Sequence, residues 1–210
     1  MDENICLHAI YAKNELCNGP TFERNTLCTL EKILKSKALL SRRLQKNNDF
    51  TYFNGLDYIS LCDYSKRNEK YLDQINSYEG YIKHSLSMAF PKEKLDIIVP
   101  EMIEVFSEGN YYLNMRTIGL TSKQRYSDMA DEVQVKDSIS LELMIGITLP
   151  IDKMINKNFD TDKNITQILK QIENIIIMLE KYNYNVPLYD INTFLPLNNE
   201  SNVKELIRKI

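Results

Sequence analysis

The chain has 210 residues, 43% of them hydrophobic and 26% charged, which is enough apolar side chain to fill one sizeable core. A formal net charge of -3, with Lys and Arg mixed among Asp and Glu, excludes a global basic footprint and leaves only local patches for contact with nucleic acid. Met1 to Ile10 carries early acids and no long apolar run, and no segment approaches a membrane span, so a soluble, cytoplasmic product is expected, or one exported by a leaderless route.

The first apolar segment, Ile5 to Tyr11, reads ICLHAIY and predicts a short buried strand that contains His8. Asn18, Gly19 and Pro20 then break the pattern. From Thr26 onward Leu27, Leu30, Ile33 and Leu34 recur at helical spacing, with Asn25 or Thr26 available as N-cap. That helix is expected to run to about Lys37 and to end at the sequence ALLS. Asn54 and Gly55 mark a turn, after which Leu56 to Cys62 reads as a strand. YIKHSLSMAF and LDIIVP predict two more strands, punctuated by Pro91 and Pro100. Arg116 to Met129, with Gly119, Thr121, Ser122 and Ser127 among charges, reads as a loop.

Asp131 to Pro150, DEVQVKDSISLELMIGITLP, is the most informative stretch. Side chains alternate across a strand, so Val133 and Val135 point one way and Glu132, Gln134 and Lys136 the other. A carboxylate in such a place is held on rigid backbone beside Asp131. A more continuously apolar strand follows. Beyond it, Ile165, Ile168, Leu169, Ile172, Ile175, Ile176 and Leu179 give one apolar face to a long helix from about Asp162 to Tyr182. VPLYDI is a short extended piece, and Asn202 with Glu205 predicts a capping box for a last helix. The pattern is α+β, with central strands and a helical C-terminal segment.

Cys6, Cys17, Cys28 and Cys62 lack the paired short spacing of a zinc site, and the chain has two histidines. No metal is expected, and the thiols are expected to be reduced and in or near the core.

One ordered set of motifs carries a resemblance. A strand with His8 is followed by a helix ending in LLS, then G-x-x-Y-I-S-L, two further strands, an E-V-x-V strand and I-x-x-x-x-x-I-G-I. This series resembles the ADP-ribosyltransferase superfamily, in its His–Tyr–Glu branches, and is similar in layout to the DarT-like toxins. It covers about Ile5 to Pro150. The resemblance implies a split mixed or antiparallel β-sheet core with flanking helices, divided as a catalytic domain over residues 1–154 and a helical extension over 155–210 packed on it. It further implies a bacterial toxin or effector that passes ADP-ribose from NAD to a macromolecular acceptor, protein or nucleic acid, in a target cell.

Carried over by position, the resemblance gives Glu132 the catalytic role. His8 would hold a ribose of NAD, Tyr58 would pack on the nicotinamide ring, and Ser60 would support the same site. An arginine after the first helix is also used in this family, and Arg42 and Arg43 lie in that region. The Glu-x-Glu pair of arginine-specific transferases is not present, because Gln134 follows Glu132 instead of preceding it.

These residue types suit the chemistry. Breaking the nicotinamide–ribose bond develops positive charge on the sugar, so a fixed carboxylate stabilises the transition state more than the ground state. An aromatic face holds the departing ring without a fixed charge. Two other functions fit the same scaffold: a tRNA 2'-phosphotransferase-like enzyme, which needs converging basic residues, and a catalytically degenerate binding module. Each residue also has a plainer reading, His8 as a hydrogen-bonded core residue and Glu132 as an edge-strand charge.

Overall fold

The computed structural model describes residues 4–10, 26–41, 44–45, 57–66, 82–102, 126–127 and 131–210. In chain order its elements are β1 (Ile5–Ile10), α1 (Cys28–Ser36), β2 (Ala38–Leu40), β3 (Tyr58–Asp63), β4 (Leu86–Pro91), β5 (Ile97–Ile98), β6 (Glu101–Met102) and β7 (Tyr126–Ser127). They continue with β8 (Glu132–Lys136), β9 (Ser138–Ser140), β10 (Gly146–Leu149), α2 (Ile151–Met154), α3 (Thr161–Lys181), β11 (Leu188–Asp190) and α4 (Glu200–Lys209). The class is α+β.

Seven strands form the main sheet in the order β11-β10-β4-β1-β3-β8-β5. Every neighbouring pair in it is antiparallel except β10 with β11. β1 and β4 pair along their whole length, from Ile5↔Pro91 to Ile10↔Leu86. β3 and β8 pair just as fully, from Tyr58↔Lys136 to Cys62↔Glu132. Between these two ladders the join is thin: β1 meets β3 in register only at Cys6↔Asp63 and Leu7↔Cys62, although both strands continue. The sheet thus consists of a four-stranded half, β11-β10-β4-β1, and a three-stranded half, β3-β8-β5, held by a short seam.

The apolar pattern explains which strands are central. β4 and β10 are buried at every position, as strands covered on both faces must be. One face packs the main core, in which Cys6, Ile10, Ile59, Leu61, Met88, Phe90 and Val133 meet Leu30 and Leu34 of α1 and Ile168, Ile172 and Ile175 of α3. Val203 and Ile207 of α4 join the same cluster. A smaller cluster covers part of the other face, with Leu7, Ala9, Cys62, Tyr64, Ala89 and Ile191. Tyr64 and Phe194 meet there edge to face, 5.0 Å between ring centroids.

Several elements differ from the sequence expectation in instructive ways. α1 stops at Ser36 because Lys37 turns left-handed (φ 59°) and returns its N–H to the Leu34 carbonyl. The ALLS segment then does more than end the helix, since Ala38–Leu40 pairs with β9 in a separate two-stranded sheet. Leu27 holds the α1 N-cap position without a side-chain cap bond; Asn25 lies outside the described residues. α4 begins at Glu200, capped by the Asn199 side chain accepting from the Ser201 N–H at 2.8 Å. The Asn202–Glu205 capping box therefore does not form, and the Asn202 amide donates to the Pro196 carbonyl instead. Most of the Arg116–Met129 loop, and the Asn54-Gly55 turn, lie outside the described residues, whereas Tyr126–Ser127 forms β7 in parallel with β6. Among the described residues no helix is long and apolar enough to cross a membrane.

Candidate functional site

The β3–β8 ladder sets the geometry. Its register places Tyr58 opposite Lys136, Ser60 opposite Gln134 and Cys62 opposite Glu132, so all six side chains leave the same face of the pair. Ile59, Leu61, Val133 and Val135 leave the other face and enter the main core. The alternation read in EVQVK is the alternation found. Glu132 and Gln134 are nonetheless 8% and 6% exposed, so the Glu132 end of this polar face is enclosed and those two side chains need partners. Gln134 Nε2 donates to Glu132 Oε1 at 2.9 Å.

At the Glu132 end a second set of buried polar groups gathers. Asp131 is wholly buried; its carboxylate accepts from the Cys62 thiol at 3.3 Å and its backbone carbonyl from the Asp63 N–H at 2.7 Å. The Asp63 carboxylate receives Lys92 Nζ at 2.7 Å and the Ser65 hydroxyl at 2.6 Å. Burial, with the Asp63 charge added, pushes the Cys6 thiol up to about 12, an effect that Lys92 opposes. Cys6 is therefore a neutral core thiol. Cys62 is buried too, whereas Cys28 is exposed on α1, against the expectation of core placement; Cys17 lies outside the described residues.

His8 sits at the seam. Strand alternation puts it on the main-core face with Cys6 and Ile10, opposite Met88 of β4, and so on the reverse face from Glu132. Its ring is half-buried and Nδ1–H donates to the Ser60 carbonyl at 2.9 Å, just past the last registered β1–β3 pair. This bond fixes the tautomer and leaves Nε2 as the acceptor nitrogen. Burial lowers the His8 pKa, outweighing the Ser60 carbonyl, which raises it, so the neutral ring is favoured.

Of the sequence-derived site residues, Ser60 and Glu132 share one face, Ser60 standing across from Gln134, which bonds Glu132, whereas His8 reaches the backbone of Ser60 from the reverse face. Tyr58 shares the Glu132 face but lies four rungs along the ladder from Glu132, roughly 13 Å at about 3.3 Å per residue. Arg42 and Arg43 lie outside the described residues. Gln134 was read in the sequence as a same-face neighbour of Glu132 and as a departure from a motif, but not as a site residue; the period-two pattern of EVQVK already put it beside Glu132. The Asp63–Lys92 pair had no local signal, because its members lie 29 residues apart in the chain.

Among the described residues no group of three or more His, Cys, Asp or Glu side chains is placed to hold a metal ion. A groove between α2, α3 and α4, lined by Ile155, Phe159, Asn164 and Ile207, contains none of the candidate residues. The Asn164 side chain there is occupied in bonding the backbone of Asn156, Phe159 and Asp160. No family model, curated protein or solved structure matches the chain.

Proposed function

We propose that the protein is an NAD-dependent mono-ADP-ribosyltransferase of the toxin or effector type, with a macromolecular acceptor. The observation that carries this reading is the adjacency, in the order β1-β3-β8, of the strands bearing His8, Tyr58 and Glu132, the residues that the family resemblance singles out. Far-separated positions in the chain need not have met, and a carboxylate and an aromatic ring on one face of one strand pair suit a glycosyl-transfer site.

Along the β3–β8 face Tyr58 stands at one end and Glu132 at the other, with Ser60 and Gln134 on the middle rungs. In this reading the Tyr58 ring stacks on nicotinamide and Glu132 hydrogen-bonds a hydroxyl of the adjoining ribose. As the C–N bond breaks, nicotinamide leaves with the bonding pair, and the fixed Glu132 carboxylate stabilises the positive charge growing on the sugar. The acceptor then supplies a lone pair to the same carbon and loses its proton, for which Glu132 is the nearby base. His8, neutral and on the reverse face of the sheet, supports this site through its Nδ1–H bond to the Ser60 carbonyl rather than by touching a ligand on the Glu132 face.

The test is incubation of wild type and Glu132→Gln with labelled NAD and candidate acceptor proteins, RNA and DNA. Label transfer by wild type, lost in Glu132→Gln, supports the reading. A wild type that neither binds NAD nor releases nicotinamide overturns it.

A further inference from the structure

We infer that Gln134 is the positioning residue for the Glu132 carboxylate, an inference that rests on the reading of Glu132 as the catalytic group. The two side chains are neighbours on one strand face, two residues apart, and Gln134 Nε2 donates to Glu132 Oε1 at 2.9 Å. Both are buried. A buried glutamine amide has few low-cost alternatives to a bond already made, and a glutamate has three side-chain torsions to be fixed before it can meet a sugar hydroxyl in one geometry.

The register adds to this. Gln134 stands directly across from Ser60 and between Glu132 and Lys136 on one face of the β3–β8 pair. Lys136, one alternation further on, is exposed, so within β8 the enclosed polar pair is Glu132 with Gln134. The order Glu-x-Gln gives the downstream amide to the carboxylate on the strand itself. Gln134 acts by holding Oε1, which directs the other oxygen of the carboxylate, and it does not need to touch substrate.

The test uses the full chain with two readouts, one in the free protein and one in turnover. In 15N NMR spectra of free wild type, the Gln134 side-chain amide, identified by its loss in Gln134→Met, is expected downfield and slow to exchange, and Glu132→Ala is expected to move it upfield. An amide that Glu132→Ala leaves in place overturns the inference. In NAD hydrolysis, with water as acceptor, Gln134→Met keeps the side-chain length without a donor and is expected to lower kcat about tenfold to a hundredfold while KM for NAD stays within about twofold. Gln134→Glu, tested in case Gln134→Met folds poorly, is expected to be equally slow at neutral pH and to regain activity as the pH falls, because a protonated carboxyl can donate where a carboxylate cannot. Unchanged kcat in both variants overturns the inference while leaving the Glu132 reading intact. An inert wild type overturns that reading and, with it, this role for Gln134.

Discussion

The two halves of the sheet follow different rules. In β1, β4 and β10 nearly every residue is buried and most are apolar, so the sequence there is accounted for by packing. In β3 and β8 one face feeds the core, while the other carries Glu132 and Gln134 buried and Tyr58 and Ser60 half-buried. Enclosing an amide and a carboxylate adds desolvation cost that apolar residues would not, so folding alone does not account for them. The difference separates side chains that hold the fold from those available for chemistry.

Substitutions on the two halves should therefore fail differently. The largest stability loss is expected for Phe90→Ala on β4, about 3–5 kcal/mol in urea unfolding, because Phe90 is fully buried in the main core. A loss below about 1 kcal/mol would mean that this half is not the structural one.

Asp63→Asn sharpens the contrast from the other side, since Asp63 is a polar residue of β3 with an evident structural partner. Its ion pair with Lys92 is a third open to water on the lysine side, which reduces its contribution, and the expected destabilisation is about 1–2 kcal/mol. NAD turnover per folded molecule should not change.

His8 predicts a pH dependence. Its folded pKa is lowered, so the unfolded chain binds the proton more tightly, and stability is full above the unfolded value near ~6.5 and is lost as pH falls below it. The slope for one group is at most about 1.4 kcal/mol per pH unit. His8→Gln should flatten the stability profile between about pH 7 and about pH 5, and an unchanged profile would place the sensitive group elsewhere.

Thiol labelling of the folded protein should modify Cys28 and spare Cys6 and Cys62 until unfolding, as read by mass spectrometry. Smallest of all, Lys181→Ala removes an exposed pair with Glu31 and should leave the thermal midpoint where it is.

Much of this was legible in the chain. The strand with His8, the alternation in EVQVK and the apolar face of α3 all carry local periodicity, and local periodicity is what a sequence displays. The pairing of Ala38–Leu40 with Ser138–Ser140 does not, because a strand so short takes its identity from a distant partner. The same reason hid the start of α4, where Asn199 and Asn202 look alike as caps and the bond from Asn202 to Pro196 decides between them. At the site, Glu132 and its facing were readable, whereas the thin seam that sets the His8 ring against the Ser60 carbonyl emerges only from the register of separate strands.

The most direct measurement of the central claim is release of nicotinamide from NAD by wild type and Glu132→Gln, with urea unfolding of both. The account predicts at least about a hundredfold loss of turnover in the variant, equivalent to about 2.7 kcal/mol of transition-state stabilisation, with stability changed by less than about 1 kcal/mol. Equal turnover by the two proteins, or none by wild type, would contradict it.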